Sequence, residues 1–127
     1  MVREVVVVTG ASAGVGRAVA RLFARDGARV GLIARGVERL EATAREVEAL
    51  GGTPLVLPLD VADADAVQAA ADRVERELGP IDAWVNNAMA TVFAPVEEIT
   101  ADEFRRVLEV TFLGYVHGTQ AALRVMR

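Results

Sequence analysis

Apolar residues in this chain come in blocks, and the period changes from block to block. Val5-Val6-Val7-Val8 is a run of four β-branched residues with nothing polar between them, the pattern of a strand buried on both faces of a parallel sheet. A glycine-rich turn over residues 10–16 follows at once. Val15, Ala18, Val19, Leu22 and Phe23 then recur at helical spacing and predict a core-facing helix that Gly27 stops. Val30-Gly31-Leu32-Ile33-Ala34 reads as a second strand ending at Arg35, and Val37, Leu40, Ala44, Val47 and Leu50 line a second helix closed by Gly51-Gly52. A third strand over residues 54–59 contains Pro54 and Pro58, which places it at an edge, because proline cannot donate to a ladder on both sides. Asp63 is the expected N-cap of a third helix carrying Val67, Ala70, Ala71, Val74 and Leu78 inward, ended by Gly79-Pro80. A fourth strand over 81–86 leads into a loop over 87–99. Thr100-Ala101-Asp102-Glu103 has the form of a capping box, and the helix it opens is expected to run almost to the end of the chain.

Strict alternation of strand and helix implies a parallel sheet with right-handed crossovers. The expected fold is α/β: one domain over residues 1–127, a three-layer Rossmann-like doubly wound sheet in strand order 3-2-1-4, without the later strands. The last helix adds a requirement. Phe104, Leu108, Tyr115 and Ala122 form one stripe, while Val107, Val110, Phe112, Leu113, Val116, Leu123 and Val125 cover much of the remaining girth. A helix so apolar needs cover on two sides. The sheet supplies one; a further part of the chain or another subunit must supply the other, which predicts a homo-oligomer through the 101–127 helix.

Composition narrows the chemistry. With 53% hydrophobic and 25% charged residues this is an ordinary globular composition, no run is long enough to span a membrane, and the expected location is cytoplasmic. A net charge of −4 disfavours nucleic acid as a partner. There is no cysteine, and His117 is the one histidine, so no metal set is expected; His117 reads as an incidental surface or interface residue. All 14 basic residues are arginine. Guanidinium groups grip phosphates but are poor proton carriers, and any mechanism that needs a lysine is impossible within this chain. Arg17, Arg21 and Arg25, four apart, read as a solvated helix face.

A strand, a tight glycine turn and a helix N-terminus aimed back over the strand form an anion site, since unpaired amides and the positive end of the helix dipole converge there. The glycines fall as Thr9-Gly10-x-x-x-Gly14-x-Gly16, not as the generic G-x-G-x-x-G. Together with Asp60-Val61 and Asn86-Asn87-Ala88, in that order and at these distances, the pattern resembles the short-chain dehydrogenase/reductase family, and covers the N-terminal, cofactor-binding half of that family's domain. The resemblance implies that amides around Ser12, Ala13, Gly14, Val15 and Gly16, beside Gly10, hold a pyrophosphate. It implies that Asp60 accepts from the adenine amino group and that the Val61 backbone meets the ring. Asn86, Asn87 and Ala88 would wall the adenosine ribose and tie the fourth strand to the first. Each residue also has a plain structural alternative: Asp60 as a turn residue before a helix, Asn86 and Asn87 as turn formers.

Which nicotinamide dinucleotide binds follows from the end of the second strand, where an acidic residue suits the ribose 2′-hydroxyl and an arginine suits a 2′-phosphate. Arg35 stands there, so NADP is expected over NAD, with Ser12 or Arg39 assisting. The sequence departs from the family in two places. Met89 replaces the glycine of Asn-Asn-Ala-Gly, so the loop to Ala90 is expected to take a different path. Thr111 replaces a mid-helix asparagine that supports a proton relay; it is expected to bond back to its own helix or hold a water, and is the weak catalytic candidate of the chain. The family's catalytic tyrosine, the lysine four residues later and the serine have no match: Tyr115 is the single tyrosine, with Thr119 four residues on, and reads as a packing residue. Two functions follow. One is the cofactor-binding portion of an NADP-dependent oxidoreductase, stopped before its catalytic strand, moving hydride to or from a carbonyl or alcohol carbon in the full protein. The other is a non-catalytic dinucleotide-binding or dimerisation module complete at 127 residues.

Overall fold

The computed structural model describes residues 3–126. Four strands, β1 (Val5–Thr9), β2 (Arg29–Ala34), β3 (Thr53–Pro58) and β4 (Ala83–Val85), form one parallel sheet in the order β3-β2-β1-β4. The expected strand order is therefore the observed one, and proline-bearing β3 lies at an edge. β4 is shorter than the sequence suggests: it has a single neighbour, and Asp82 already turns its carboxylate back to accept from the Val5 amide at 2.8 Å.

Helices α1 (Gly14–Arg25) and α2 (Val37–Ala49) cover one face, and α3 (Ala64–Glu77) covers the other with a long C-terminal helix. That last helix is continuous: α4 (Ala101–Val107), a π-helical stretch (Leu108–Leu113) and α5 (Gly114–Val125) follow without a break. Pleating sorts the strand residues into two cores. Val5, Val7, Ile33 and Leu57 pack toward α3 and α5, and Val6, Val8, Val30 and Leu32 pack toward α1 and α2. All five residues of β1 are buried, as a central strand requires.

The caps match expectation. Asp63 accepts from the Ala66 amide at the start of α3, Thr100 and Glu103 complete a reciprocal capping box, and Gly27 (φ +79°) ends α1 in the left-handed conformation. The face of α1 does not match. It rests on the sheet through Gly16, Ala20 and Ala24, with Val19 and Phe23 at the flanks, while Val15, Ala18 and Leu22 are exposed. Small residues let the helix sit close to the strands; a pattern read for bulk overlooks them. Arg17 is not part of a solvated face either, because its guanidinium grips Glu46 of α2 and ties the two helices together.

The apolar girth of the last helix is visible in the fold. Gly114, Gly118, Ala121 and Ala122 are buried, whereas Leu108, Phe112 and Leu123 are about three-fifths exposed (59, 63 and 61%). Among the described residues no helix is long and apolar enough to cross a membrane.

Candidate functional site

The carboxyl ends of β1, β2 and β3 open onto a cavity of about 430 Å³. A crevice outside the carboxyl ends of the strands is where open α/β sheets receive ligands. Three segments build it. From β1 comes the glycine turn. Gly10 takes φ +67°, a conformation side chains resist, and a Cβ there would meet Ala88 backbone at 3.0 Å. A Cβ on Gly16 would lie 2.2 Å from the Gly10 carbonyl oxygen, so the start of α1 can lie against the turn only because residue 16 has no side chain. Ala13 is the N-cap and offers no side-chain acceptor, which leaves the first amides of α1 without a side-chain cap.

From β2 come Arg35, Gly36 and Arg39. Gly36 is the N-cap of α2 and likewise has no side-chain partner. Arg35 and Arg39 line the cavity and, among the described residues, join no ion pair. Two guanidinium groups at an uncapped helix N-terminus form a concentrated positive region. The turn is anchored beneath by Thr43 of α2, fully buried, whose hydroxyl donates to the Ala11 carbonyl at 3.0 Å.

From β3 come Asp60 and Val61. Asp60 Oδ1 accepts from the Ala62 amide at 3.0 Å, the turn role its position suggests, yet both carboxylate oxygens also receive Arg106: Nη1 donates to Oδ2 at 2.7 Å and Nη2 to Oδ1 at 3.2 Å. Hydrogen bonding from Arg106, more than anything else, holds the Asp60 carboxyl below its ordinary range against the opposing effect of burial; the Ala62 amide and the charge of Arg35 add to the lowering.

At the far wall stands the loop after β4. The Thr9 hydroxyl accepts from the amides of Asn87 (2.8 Å) and Ala88 (3.0 Å), joining β4 to β1 as expected. Asn87 Nδ2 donates to the Gly10 carbonyl at 3.4 Å. Asn86 does not face the cavity. Its side chain accepts from Trp84 Nε1 at 3.0 Å and donates to Thr119 Oγ1 at 3.1 Å, binding β4 to α5. Met89 has no positive φ, so its backbone conformation does not require glycine, and Met89 and Ala90 line the cavity. Thr111 bonds to the loop after β4 and not back to its own helix. Its hydroxyl accepts from the Ala90 amide and donates to the Ala90 carbonyl, both at 3.1 Å, and so pins the loop. His117 is not incidental either, since its Nδ1 lies 2.9 Å from the Val61 carbonyl.

Of the expected site residues, Gly10, Ser12, Arg35, Asp60, Val61 and Ala88 line the cavity, while Ala13, Gly14, Val15, Gly16 and Asn87 do not. Arg106 and Val110 also line it, and the sequence patterns do not point to either. No local pattern could reveal Arg106, which reaches Asp60 from 46 residues away. Among the described residues there is no cluster of His, Cys, Asp or Glu able to hold a metal.

The short chain dehydrogenase family model matches residues 4–127. This chain belongs to the short-chain dehydrogenase/reductase family. It is 34% identical over 121 residues to the uncharacterized oxidoreductase YxnA of Bacillus subtilis (strain 168), covering 95% of this chain and 34% of that protein. Among solved structures, an alcohol dehydrogenase from the archaeon Thermococcus sibiricus complexed with 5-hydroxy-NADP superposes with a TM-score of 0.92 at 37% identity, over 98% of this chain and 54% of that one. An NAD+-bound xylitol dehydrogenase gives a TM-score of 0.92 at 35% identity, over 97% and 48%. The chain thus spans between a third and about half of the length of these short-chain dehydrogenases. Its fold is the Rossmann-like one of the family, and oxidoreduction is the family's chemistry.

Proposed function

We propose that this chain is the dinucleotide-binding part of an NADP-dependent oxidoreductase that moves hydride to or from a carbonyl or alcohol carbon. The observation that carries the reading is the meeting, in one cavity, of a glycine turn whose Gly10 has no room for a Cβ, two arginines at the start of α2 without ion-pair partners among the described residues, and Asp60 just beyond β3. Amides from Ser12 to Gly16 receive the pyrophosphate; Gly10 and Gly16 let the turn pack against the β4 loop and the helix start, and Gly14 leaves open space in front of it. Arg35 takes the 2′-phosphate, assisted by Ser12 and Arg39. Asp60 still has lone-pair capacity on Oδ2 for the adenine amino group, the Val61 backbone meets the ring, and Asn87 and Ala88 form the ribose wall. A nicotinamide dinucleotide supplies the hydride chemistry when bound, and the protein supplies its orientation.

The 5-hydroxy-NADP on the Thermococcus enzyme and the NAD+ on the xylitol enzyme mark the two choices open to this architecture. Arg35 favours the first. In a calorimetric titration we expect Arg35→Asp to remove the preference for NADP over NAD; an unchanged ratio of affinities would refute the assignment. Without a lysine, and with its single tyrosine on α5 beside the packed Asn86 site, this chain by itself should show no turnover; Thr111 acts by holding the loop at Ala90 rather than by moving a proton. The exposed side of the last helix, Ala101 to Val125, favours a homo-oligomer, with residues 1–127 as one cofactor-binding domain and the cytoplasm as its location.

A further inference from the structure

Arg35 and Asp60 follow the ends of adjacent strands, one residue out of step, and both line the cavity. Ala34 pairs with Pro58, and the Leu59 amide donates to the Ala34 carbonyl at 2.9 Å, so Arg35 lies one residue and Asp60 two residues beyond the last paired position on neighbouring strands only about 5 Å apart. An arginine and a carboxylate so placed would ordinarily pair. They do not: the Asp60 carboxylate accepts from two N–H groups of Arg106, and Arg35 has no ion-pair partner among the described residues. The arrangement is not a surface coincidence, because the Arg106 and Asp60 side chains are each about two-thirds buried (33 and 36% exposed) and both line the cavity.

We propose that Arg106 is a specificity-determining positioning residue: by occupying Asp60 it keeps Arg35 unpaired and turned toward an incoming anion, so that the site prefers the dinucleotide carrying a 2′-phosphate. The inference rests on the dinucleotide reading above and deepens it. Two physical effects work together. Arg106 neutralises a carboxylate that would repel a phosphate placed beside Arg35, and it outcompetes Arg35 for that carboxylate through a two-point geometry that a lone contact cannot match. The lowering of the Asp60 pKa, caused first by Arg106 and least by Arg35, agrees with that division of labour.

The test is a set of calorimetric titrations of this chain with NADP and with NAD, for the wild type, Arg106→Met, Asp60→Asn and the double variant. Arg106→Met should lower the preference for NADP about tenfold, as expected for losing one charge-assisted contact. Asp60→Asn should weaken both ligands while keeping the preference, since no carboxylate then competes for Arg35. The double variant should behave like Asp60→Asn. Should methionine at this position prevent folding, Arg106→Gln removes the charge while keeping a donor, and the same loss is expected. An equal drop in preference with and without the Asp60 carboxylate would mean that Arg106 touches the nucleotide itself, and would overturn the inference. A fall in both affinities with an unchanged ratio would reduce Arg106 to a structural role and overturn it too. A wild type that binds neither nucleotide would sink the dinucleotide reading along with this one.

Discussion

Gly16 is the residue at which the site is least tolerant. Because a Cβ there would press on a backbone oxygen at 2.2 Å, the helix start or the turn must move to admit even a methyl group. Gly16→Ala should therefore cost about 1–3 kcal/mol of stability in chemical denaturation, in the range of overpacked cores. Dinucleotide affinity should fall with it, whereas Gly14→Ala, which meets nothing within 4 Å, is limited to the strain of its φ of +55°. Asp60 supplies a pH dependence at the same scale. Its carboxyl is held low in the fold, so its contribution is complete above the unfolded-state value of about 4 and is lost as pH falls through the lower folded-state value. Urea unfolding should show wild-type stability falling below about pH 4, and falling less steeply in Arg106→Met; partial exposure keeps the difference small. Residues of this kind are legible in the sequence when their partners are neighbours in the chain. Gly10, Asp60 and Asn87 stand in motifs. Arg106 does not, and the turning away of Asn86 depends on Thr119, which no local pattern connects to it.

Elements are legible according to what their ends and faces are made of. The Thr100 capping box can be read directly, since both of its bonds lie within four residues. Thr100→Ala should destabilise the chain by about 1 kcal/mol, measured as a shift in the denaturation midpoint. The Glu103 carboxyl is held low chiefly by the backbone amide of Thr100, with help from the Thr100 hydroxyl, so the same variant should also raise its pKa, as NMR titration would record. Faces are harder. On α1 the sheet contact runs through Gly16, Ala20 and Ala24, and on α5 the buried positions are Gly114, Gly118, Ala121 and Ala122. Close approach selects small residues, which carry little hydrophobic weight, so the bulky residues that dominate the pattern end up elsewhere. The shortness of β4 has a similar cause, because pairing on one side only cannot be read from the apolar run itself.

Across the molecule as a whole, apolar side chains among the described residues stand open on Val15 and Leu22 of α1, on Phe93 and Val96 in the loop after β4, and on Leu108, Phe112 and Leu123 along the last helix. Isolated exposed apolar residues are ordinary, but a row along one helix marks a contact surface. If the last helix pairs with a second copy, Leu108→Glu with Phe112→Glu should shift sedimentation to the monomer while leaving dinucleotide binding intact, because neither side chain lines the cavity. The architecture can be read at this scale because block alternation of strand and helix admits few topologies, and the edge prolines of β3 fix one end of the order.

Thr9 has a consequence that reaches beyond the strand it ends. A single buried hydroxyl holds the amides of Asn87 and Ala88 from below while its own residue leads into the glycine turn. Rigidifying that turn from above must therefore quiet the seam between the first and last strands. Deuterium uptake at the Asn87 and Ala88 amides should slow when dinucleotide is added, and Thr9→Val should uncouple the two, leaving those protons quick to exchange in the loaded protein.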